Sequence, residues 1–331
     1  MKSIRLHAHG ELRLHDELEP APVAGEALLR VKAVGICGSD LHWFTEGGIG
    51  DAQLTYPLVL GHEFAAITEA GKRVAVDPAI PCGECEFCQQ GHPNLCPQVN
   101  FAGHGTQDGA LREWMTWPRN CLHPLPDELS YADGAMLEPL GVAIHAVDLG
   151  KLRAGMTVGV FGCGPIGLLI VQLARLSGAS KIVATDVLPH RVEAAKHFGA
   201  HQAFLAEAGH EPGMIRATTD GRGVDVAFEA AGEQEAIDVS VATVIPGGKV
   251  VLTGIPADDR TLFSASVARR KGLTIKLVRR MKHTYPRAIE LVSKGLVDVR
   301  SLVTHRFPLE QAAEAFRLAQ RREGLKITIE V

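Results

Sequence analysis

The sequence predicts an α/β chain with two domains: a doubly wound parallel sheet, and an antiparallel, β-barrel-like domain. Three observations predict it. Residues 137–254 alternate apolar strands with apolar helices, the pattern of a parallel sheet covered on both faces. Residues 1–35 and 59–76 carry short runs of β character punctuated by Gly, Pro and Asp. Residues 284–331 return to that mixed character, so the chain leaves one domain, builds a second and comes back. A length of 331 residues suits two domains of ~100–200 residues each. The expected boundaries are 1–140 with 284–331 for the barrel-like domain, and 141–283 for the parallel sheet.

The elements follow in order. Residues 27–34 (ALLRVKAV) alternate as a strand, and residues 59–76 read as two strands with a turn at Glu69–Lys72. A helix runs from Leu137 to Leu149. Then come a strand (Thr157–Phe161), a helix (Ile166–Ser177), a strand (Lys181–Thr185) and a helix (Pro189–Phe198). A strand (Val224–Glu229), a helix (Gln234–Val244) and a strand (Lys249–Gly254) complete the alternation. The tail reads as a helix (Tyr285–Ser293), a strand (Thr304–Phe307), a helix (Leu309–Gln320) and a final strand (Leu325–Val331).

Composition excludes several function classes. Lys and Arg number 34 against 38 Asp and Glu, a net charge of −4, which gives no electrostatic reason to expect nucleic acid or an anionic membrane as partner. Met156–Ala174 imitates a membrane span but is broken by glycines and Pro165, so a buried strand followed by a buried helix explains it better. No apolar stretch follows Met1–Arg5, so no secretory signal is expected. The seven cysteines are an odd number and five fall in metal-like positions, which points away from a disulfide framework and toward a reducing cytoplasm.

The first chemical motif is Gly162-Cys163-Gly164-Pro165-Ile166-Gly167, or G-x-G-x-x-G. It follows an apolar strand and opens an apolar helix. There the glycines let the backbone turn and approach a pyrophosphate, whose charge meets the free N–H groups of the helix N-terminus. Pro165 suits a first helical turn because it has no N–H to waste. Asp186 ends the next strand, nineteen residues past Gly167. A carboxylate there accepts both adenosine ribose hydroxyls and repels a 2′-phosphate, which favours NAD over NADP. Arg191, close by in sequence, softens that preference. Together these mark a Rossmann-type sheet; the alternative is a glycine-rich turn that binds nothing.

The second motif is Cys82, Cys85, Cys88 and Cys96, spaced by two, two and seven residues. Four thiolates in one loop can surround Zn²⁺ at about 2.3 Å and leave no open coordination site, which makes such a zinc structural. An iron–sulfur cluster and free thiols compete, but nothing else in the chain suggests electron transfer. Residues 74–111 hold no Lys or Arg, so this loop is not a nucleic-acid reader.

The third is dispersed. Cys37 (in GICGSD) and His62 (in GHE) are a zinc pair, and a catalytic zinc takes three protein ligands and keeps one position open. Glu63 and Glu138 (in LEPLG) are the candidates for the third ligand. Singly, each residue has an ordinary reading, since an isolated Cys is usually a small core residue.

The segments VGICGSDLHWF, YPLVLGHE, the four-cysteine loop, LEPLGVAIHA, GCGPIG, IVATD and DVRSLVTHRFPLEQAAEAF span nearly the whole chain. In that order they resemble a zinc-dependent medium-chain dehydrogenase/reductase, most of all its sorbitol (polyol) dehydrogenase branch. Threonine, butanediol and idonate dehydrogenases share most of these signatures. The resemblance implies a GroES-like catalytic domain beside the Rossmann domain, NAD, and one catalytic and one structural zinc per chain. It implies that Cys37, His62 and Glu63 ligate the catalytic zinc, with Glu138 beside the metal, directly or through water. It makes Ser39 the hydroxyl that takes the substrate proton and His42 the end of the relay, and it puts Arg280 in the polyol pocket. The zinc ligands then belong to one domain and the dinucleotide to the other, with the substrate between them. The family's chemistry is Lewis-acid activation of a secondary alcohol and hydride transfer to the nicotinamide.

Two positions depart from the branch: Met281 after Arg280, and Trp43, both where sorbitol enzymes tend to carry tyrosine. The turn between Glu69 and Arg73 is shorter than usual. The substrate pocket, with Trp43, Glu138 and Arg280, is therefore where this chain differs. Ordinary readings stand beside the implied ones: Ser39 as the cap of a helix starting near Asp40, His42 on that helix's surface, Arg280 as a solvated cation, Cys121 and Cys163 as inert thiols. The expectation is an NAD- and zinc-dependent alcohol or polyol dehydrogenase, cytoplasmic, a homodimer or homotetramer, with a small-molecule substrate and neither nucleic acid nor membrane as partner. A non-catalytic redox sensor and a zinc-free quinone reductase are the competing readings. The metal motifs argue against both.

Overall fold

The computed structural model describes residues 1–331. Two compact units emerge: Met1–Pro139 with Tyr285–Val331, and Leu140–Thr284.

In the second unit six strands form one all-parallel sheet. In sheet order they are Gln202–Leu205, Lys181–Asp186, Thr157–Phe161, Val224–Glu229, Val244–Leu252 and Thr274–Leu277. Numbered along the chain, the order is 3-2-1-4-5-6. It reverses between the first and fourth strands, and ligands of such sheets bind at the carboxyl ends beside that reversal. The inner strands are near-continuous apolar runs because helices cover both faces. Phe161, Val183, Ala227 and Val250 pack there, fully buried.

The edge strands Gln202–Leu205 and Thr274–Leu277, and the helices Glu211–Thr218 and Ala265–Lys271, were not legible in the sequence. Both edge strands are short, mostly solvent-facing and poor in apolar contrast, so periodicity has little to report. The strand expected at Lys249–Gly254 is Val244–Leu252, beginning earlier and ending before Gly254.

The first unit holds a seven-stranded and a three-stranded sheet. Strand Glu26–Gly35 is central: it pairs with Glu63–Thr68, Trp114–Pro118 and Lys326–Glu330, all antiparallel. One pair departs from the expected antiparallel pattern, since Val303–Pro308 runs parallel to Lys326–Glu330. The core joins the chain's two ends: Trp43, Phe44, Phe64 and Trp117 pack in one cluster with Phe316 and Ile329. The helix expected over Leu309–Gln320 is a 3₁₀ turn, Leu309–Gln311, followed by the α-helix Ala312–Gln320.

Candidate active site

Register assembles the metal cluster. Gly35 pairs with Glu63 on one side and Thr328 on the other, so the ends of two strands lie beside the middle of a third. Two residues past Gly35 the chain turns into helix Gly38–Glu46, with Cys37 as its N-cap. The thiol of Cys37, the imidazole of His62 and the carboxylate of Glu63 meet there, their ligand atoms all within 4.8 Å of one another. His62 and Glu63 are buried, and Cys37 is half-buried.

Asp40 organises this cluster from behind. It is 1% exposed. Its Oδ2 accepts the Cys37 N–H at 2.9 Å, and its Oδ1 accepts the Gly61 N–H at 3.2 Å. Oδ1 also faces His62 Nδ1 at 3.2 Å, which leaves Nε2 to point toward the cluster. This is the carboxylate–histidine arrangement that fixes a ligating ring. Burial would raise the Asp40 carboxyl, but His62 and the two amides outweigh it and hold it below its ordinary value. Burial likewise works against a charged His62, yet Asp40 and Cys37 raise the imidazole well above its usual range. A metal ion held by Nε2 would displace the proton from that nitrogen.

Lys326 closes the other side. Its ammonium pairs with Glu63 Oε2, both side chains nearly inaccessible to solvent. Burial opposes its charge, and Glu63 first, then Cys37, more than compensate, so its titration is raised. Gly35 makes room for this pair. A Cβ there would stand 2.1 Å from Glu63 Oε2 and 3.1 Å from Lys326 Cε.

Ser39 Oγ lies 3.3 Å from His62 Nε2. Ser39 is not the helix cap, because the helix starts one residue before it and Cys37 occupies the cap. His42 pairs through Nδ1 with Glu46 at 2.9 Å. Trp43 is buried, with its ring edge-on to His104 at 5.4 Å, and Phe101 lies 5.1 Å from the His62 ring. Glu138 is buried in the first turn of helix Leu137–Gly150, outside the three-residue cluster. Arg280 lies in the other unit, in the left-handed region at φ 53°, with His283 nearby at φ 48°. Two such non-glycine residues in one short segment concentrate backbone strain.

The four-cysteine loop comes together as its spacing implied, Cys82, Cys85, Cys88 and Cys96 within 4.8 Å. Cys85 caps the short helix Glu86–Gln89 and donates its N–H to Cys82 Sγ at 3.3 Å. The backbone N–H groups of Glu84 and Cys85 bring the Cys82 thiol down to about 7. All seven cysteines are free of disulfides. Four thiols with no fifth donor fit a closed structural zinc. Three donors, one sulfur, one nitrogen and one oxygen, fit a catalytic zinc, which takes three protein ligands and keeps its fourth position open.

The glycine loop has the geometry a dinucleotide needs. Gly162 sits at φ 97°, and a Cβ on Gly167 would stand 1.9 Å from the Gly162 carbonyl oxygen. A Cβ on Gly164 would meet only Arg191, 3.8 Å away, so the loop is open where a phosphate approaches. Helix Pro165–Leu176 begins there with Pro165 in its first turn. Asp186 is buried; its Oδ2 accepts the Cys163 N–H at 2.7 Å and its Oδ1 the Leu188 N–H at 2.9 Å. The Cys163 thiol is buried and raised, first by burial and then by Asp186, which fits an inert thiol.

Comparison with known proteins places the chain. Residues 23–127 match the alcohol dehydrogenase GroES-like domain and residues 165–294 the zinc-binding dehydrogenase domain. Sorbitol dehydrogenase of Bacillus subtilis (strain 168) is 37% identical over 341 residues, covering 99% of this chain and 97% of that protein. The chain is a zinc-dependent medium-chain dehydrogenase/reductase of the sorbitol-dehydrogenase-like kind. Among solved structures, an alcohol dehydrogenase from Escherichia coli CFT073 complexed with NADH is 29% identical, with a TM-score of 0.91 over 100% of this chain and 99% of that one. The 2R,3R-butanediol dehydrogenase from Bacillus subtilis is 30% identical, with a TM-score of 0.88 over 100% and 99%. As a member of this family the protein is an oxidoreductase that uses zinc and a nicotinamide dinucleotide. No helix of this dehydrogenase is long and apolar enough to cross a membrane.

Sequence reasoning passed over Asp40 and Lys326. Each leaves a signal. Asp40 stands at N3 of a helix capped by Cys37, and Lys326 is a lysine in a strand otherwise fit for burial, where a charge demands a partner.

Proposed function

We propose that this dehydrogenase reversibly oxidises a secondary hydroxyl of a polyol of the sorbitol or xylitol kind to a ketone, with hydride transfer to NAD. The observation that carries the reading is the Cys37–His62–Glu63 cluster with the Ser39 hydroxyl against His62. Zinc supplies Lewis-acid polarisation of the alcohol oxygen, and the nicotinamide supplies the hydride acceptor. Cys37, His62 and Glu63 hold the zinc. Lys326 pairs with the Glu63 carboxylate through Oε2. Glu138, outside the cluster, serves the substrate side. Ser39 accepts the alcohol proton, and His42 carries it on toward solvent. Trp43 and Arg280 are assigned to polyol recognition. Cys82, Cys85, Cys88 and Cys96 bind the structural zinc. Gly162, Gly164, Pro165, Ile166 and Gly167 hold the pyrophosphate, Asp186 the adenosine ribose, and Arg191 flanks the loop.

Identity to sorbitol dehydrogenase over the whole chain favours a polyol over a simple diol, threonine or idonate. The free cysteines favour a cytoplasmic protein. A homodimer or homotetramer fits the second unit's sheet, which ends on strand Thr274–Leu277 with Leu277 71% exposed.

The test is a panel of sorbitol, xylitol, 2,3-butanediol, L-threonine and L-idonate assayed with NAD and NADP, with zinc counted per chain. Highest kcat/KM for a polyol with NAD and two zinc ions per chain is expected. A better diol, threonine or idonate substrate refutes the polyol assignment, and one zinc refutes the two-site reading.

A further inference from the structure

The dinucleotide unit contains a buried carboxylate to which none of the chemistry above gives a task. Glu229 ends strand Val224–Glu229, the fourth strand, at the point where the sheet order reverses. It is 1% exposed. Its Oε1 accepts the N–H groups of Ala231 at 2.7 Å and Gly232 at 2.6 Å, and its Oε2 accepts the Gly254 N–H at 3.2 Å. These partners are backbone amides, not a cation. Burial raises the carboxyl, and the three amides offset that only in part.

The carboxylate therefore ties together the loops that leave the fourth and fifth strands. The first of these loops is also the wall behind the glycine cradle. Ala230 donates its N–H to the Phe161 carbonyl at 2.8 Å, and a Cβ on Gly162 would stand 2.7 Å from the Ala231 nitrogen. Spacing on the far side is equally tight. A Cβ on Gly254 would stand 2.1 Å from the Gly232 nitrogen and 2.8 Å from Glu229 Oε2, and Gly232 itself sits at φ 74°. With no cation beside it, the carboxylate is held entirely by these backbone amides, so its charge and the positions of the two loops depend on one another.

We propose that Glu229 is a positioning residue for the dinucleotide: it draws the loop after the fourth strand against the first glycine of the cradle and so sets the seat of the pyrophosphate and the nicotinamide half. The proposal rests on the reading of this unit as a dinucleotide site. The adenosine end is held separately, by Asp186 with its amides from Cys163 and Leu188. That separation makes the role measurable.

The experiment compares NADH and AMP binding to the zinc-loaded protein and its Glu229→Gln variant, by NADH fluorescence and by calorimetry. Gln keeps the length and loses the charge. A rise of about tenfold or more in the Kd of NADH, with that of AMP changed less than twofold, is the expected result. An unchanged NADH affinity overturns the proposal, and so does equal weakening of both ligands, which means general loosening of the sheet. Wild-type protein that binds neither ligand refutes the dinucleotide reading itself, before any variant is made. If the variant does not fold, amide exchange on the wild type decides: protection of Ala231, Gly232 and Gly254 should rise with NADH and not with AMP, and an equal rise with both overturns the proposal.

Discussion

The glycine cradle and the metal cluster solve the same problem, holding a charged group still, with different materials. The cradle is backbone. Its donors are the N–H groups of one loop and one helix start, and its key residues are glycines that supply only the absence of a side chain. The metal cluster is buried side-chain charge gathered from three separate stretches of chain: Cys37 and Asp40, His62 and Glu63, and Lys326. A site made of backbone fits in one contiguous motif. A site made of charge needs countercharges, and these come from wherever the fold brings them.

The largest expected effect separates the two sites outright. Cys37→Ser and His62→Ala each remove a metal donor, and turnover should fall by on the order of 10⁴-fold or more, about 5.5 kcal/mol of transition-state stabilisation. NADH affinity, measured by fluorescence, should stay within about threefold because the cradle shares no residue with the cluster. Retained activity in either variant breaks the zinc mechanism. Lost NADH binding breaks the independence of the two sites.

Next in size is the buried ion pair. In the zinc-free protein Lys326→Met leaves Glu63 charged, buried and without its partner, at a cost of about 3–5 kcal/mol in urea unfolding. The double variant Lys326→Met/Glu63→Gln should recover a large part of that loss, because it removes the orphaned charge instead of creating one. A single variant as stable as the wild type would mean that Lys326 is no countercharge to the cluster.

Smaller again is Asp40→Asn. The amide keeps the shape and loses the charge that orients and charges His62. Metal affinity at the catalytic site should drop 10–100-fold, read by competition with a chelator, while the four-cysteine zinc holds. Equal loss at both sites would point to unfolding of the unit rather than to a misdirected ring.

The same contrast explains what was legible in the sequence. G-x-G-x-x-G between a strand and a helix, and four cysteines in fifteen residues, are local statements, and the fold reproduces both. Cys37 and His62 were legible as donor types, but the reason they meet is the pairing of Gly35 with Glu63, and register is invisible without the partner strand. Asp40 looked like an ordinary acid near a helix start. Lys326 went unremarked within the last strand, yet it is 3% exposed. Gly35 looked like punctuation, although its missing side chain is the space that the Lys326–Glu63 pair fills. The edge strands escaped for a complementary reason, since solvent on one side erases the apolar alternation by which a strand is recognised.

The smallest effect concerns the acid at the adenosine end of the cradle. Asp186 accepts two amides with its two oxygens, one from within the glycine loop. Asp186→Ala therefore does two things at once. It removes the acceptor for the ribose hydroxyls and frees the Cys163 and Leu188 amides, so KM for NAD should rise about tenfold. It also removes the charge that repels a 2′-phosphate, and Arg191 beside Gly164 remains to attract one. KM for NADP should then rise less than KM for NAD, or fall, and the NADP/NAD ratio of kcat/KM should increase several-fold. If both KM values rise together and the ratio stays fixed, Asp186 is a brace for the loop and not a reader of the ribose. In that case cofactor choice would belong to some other residue.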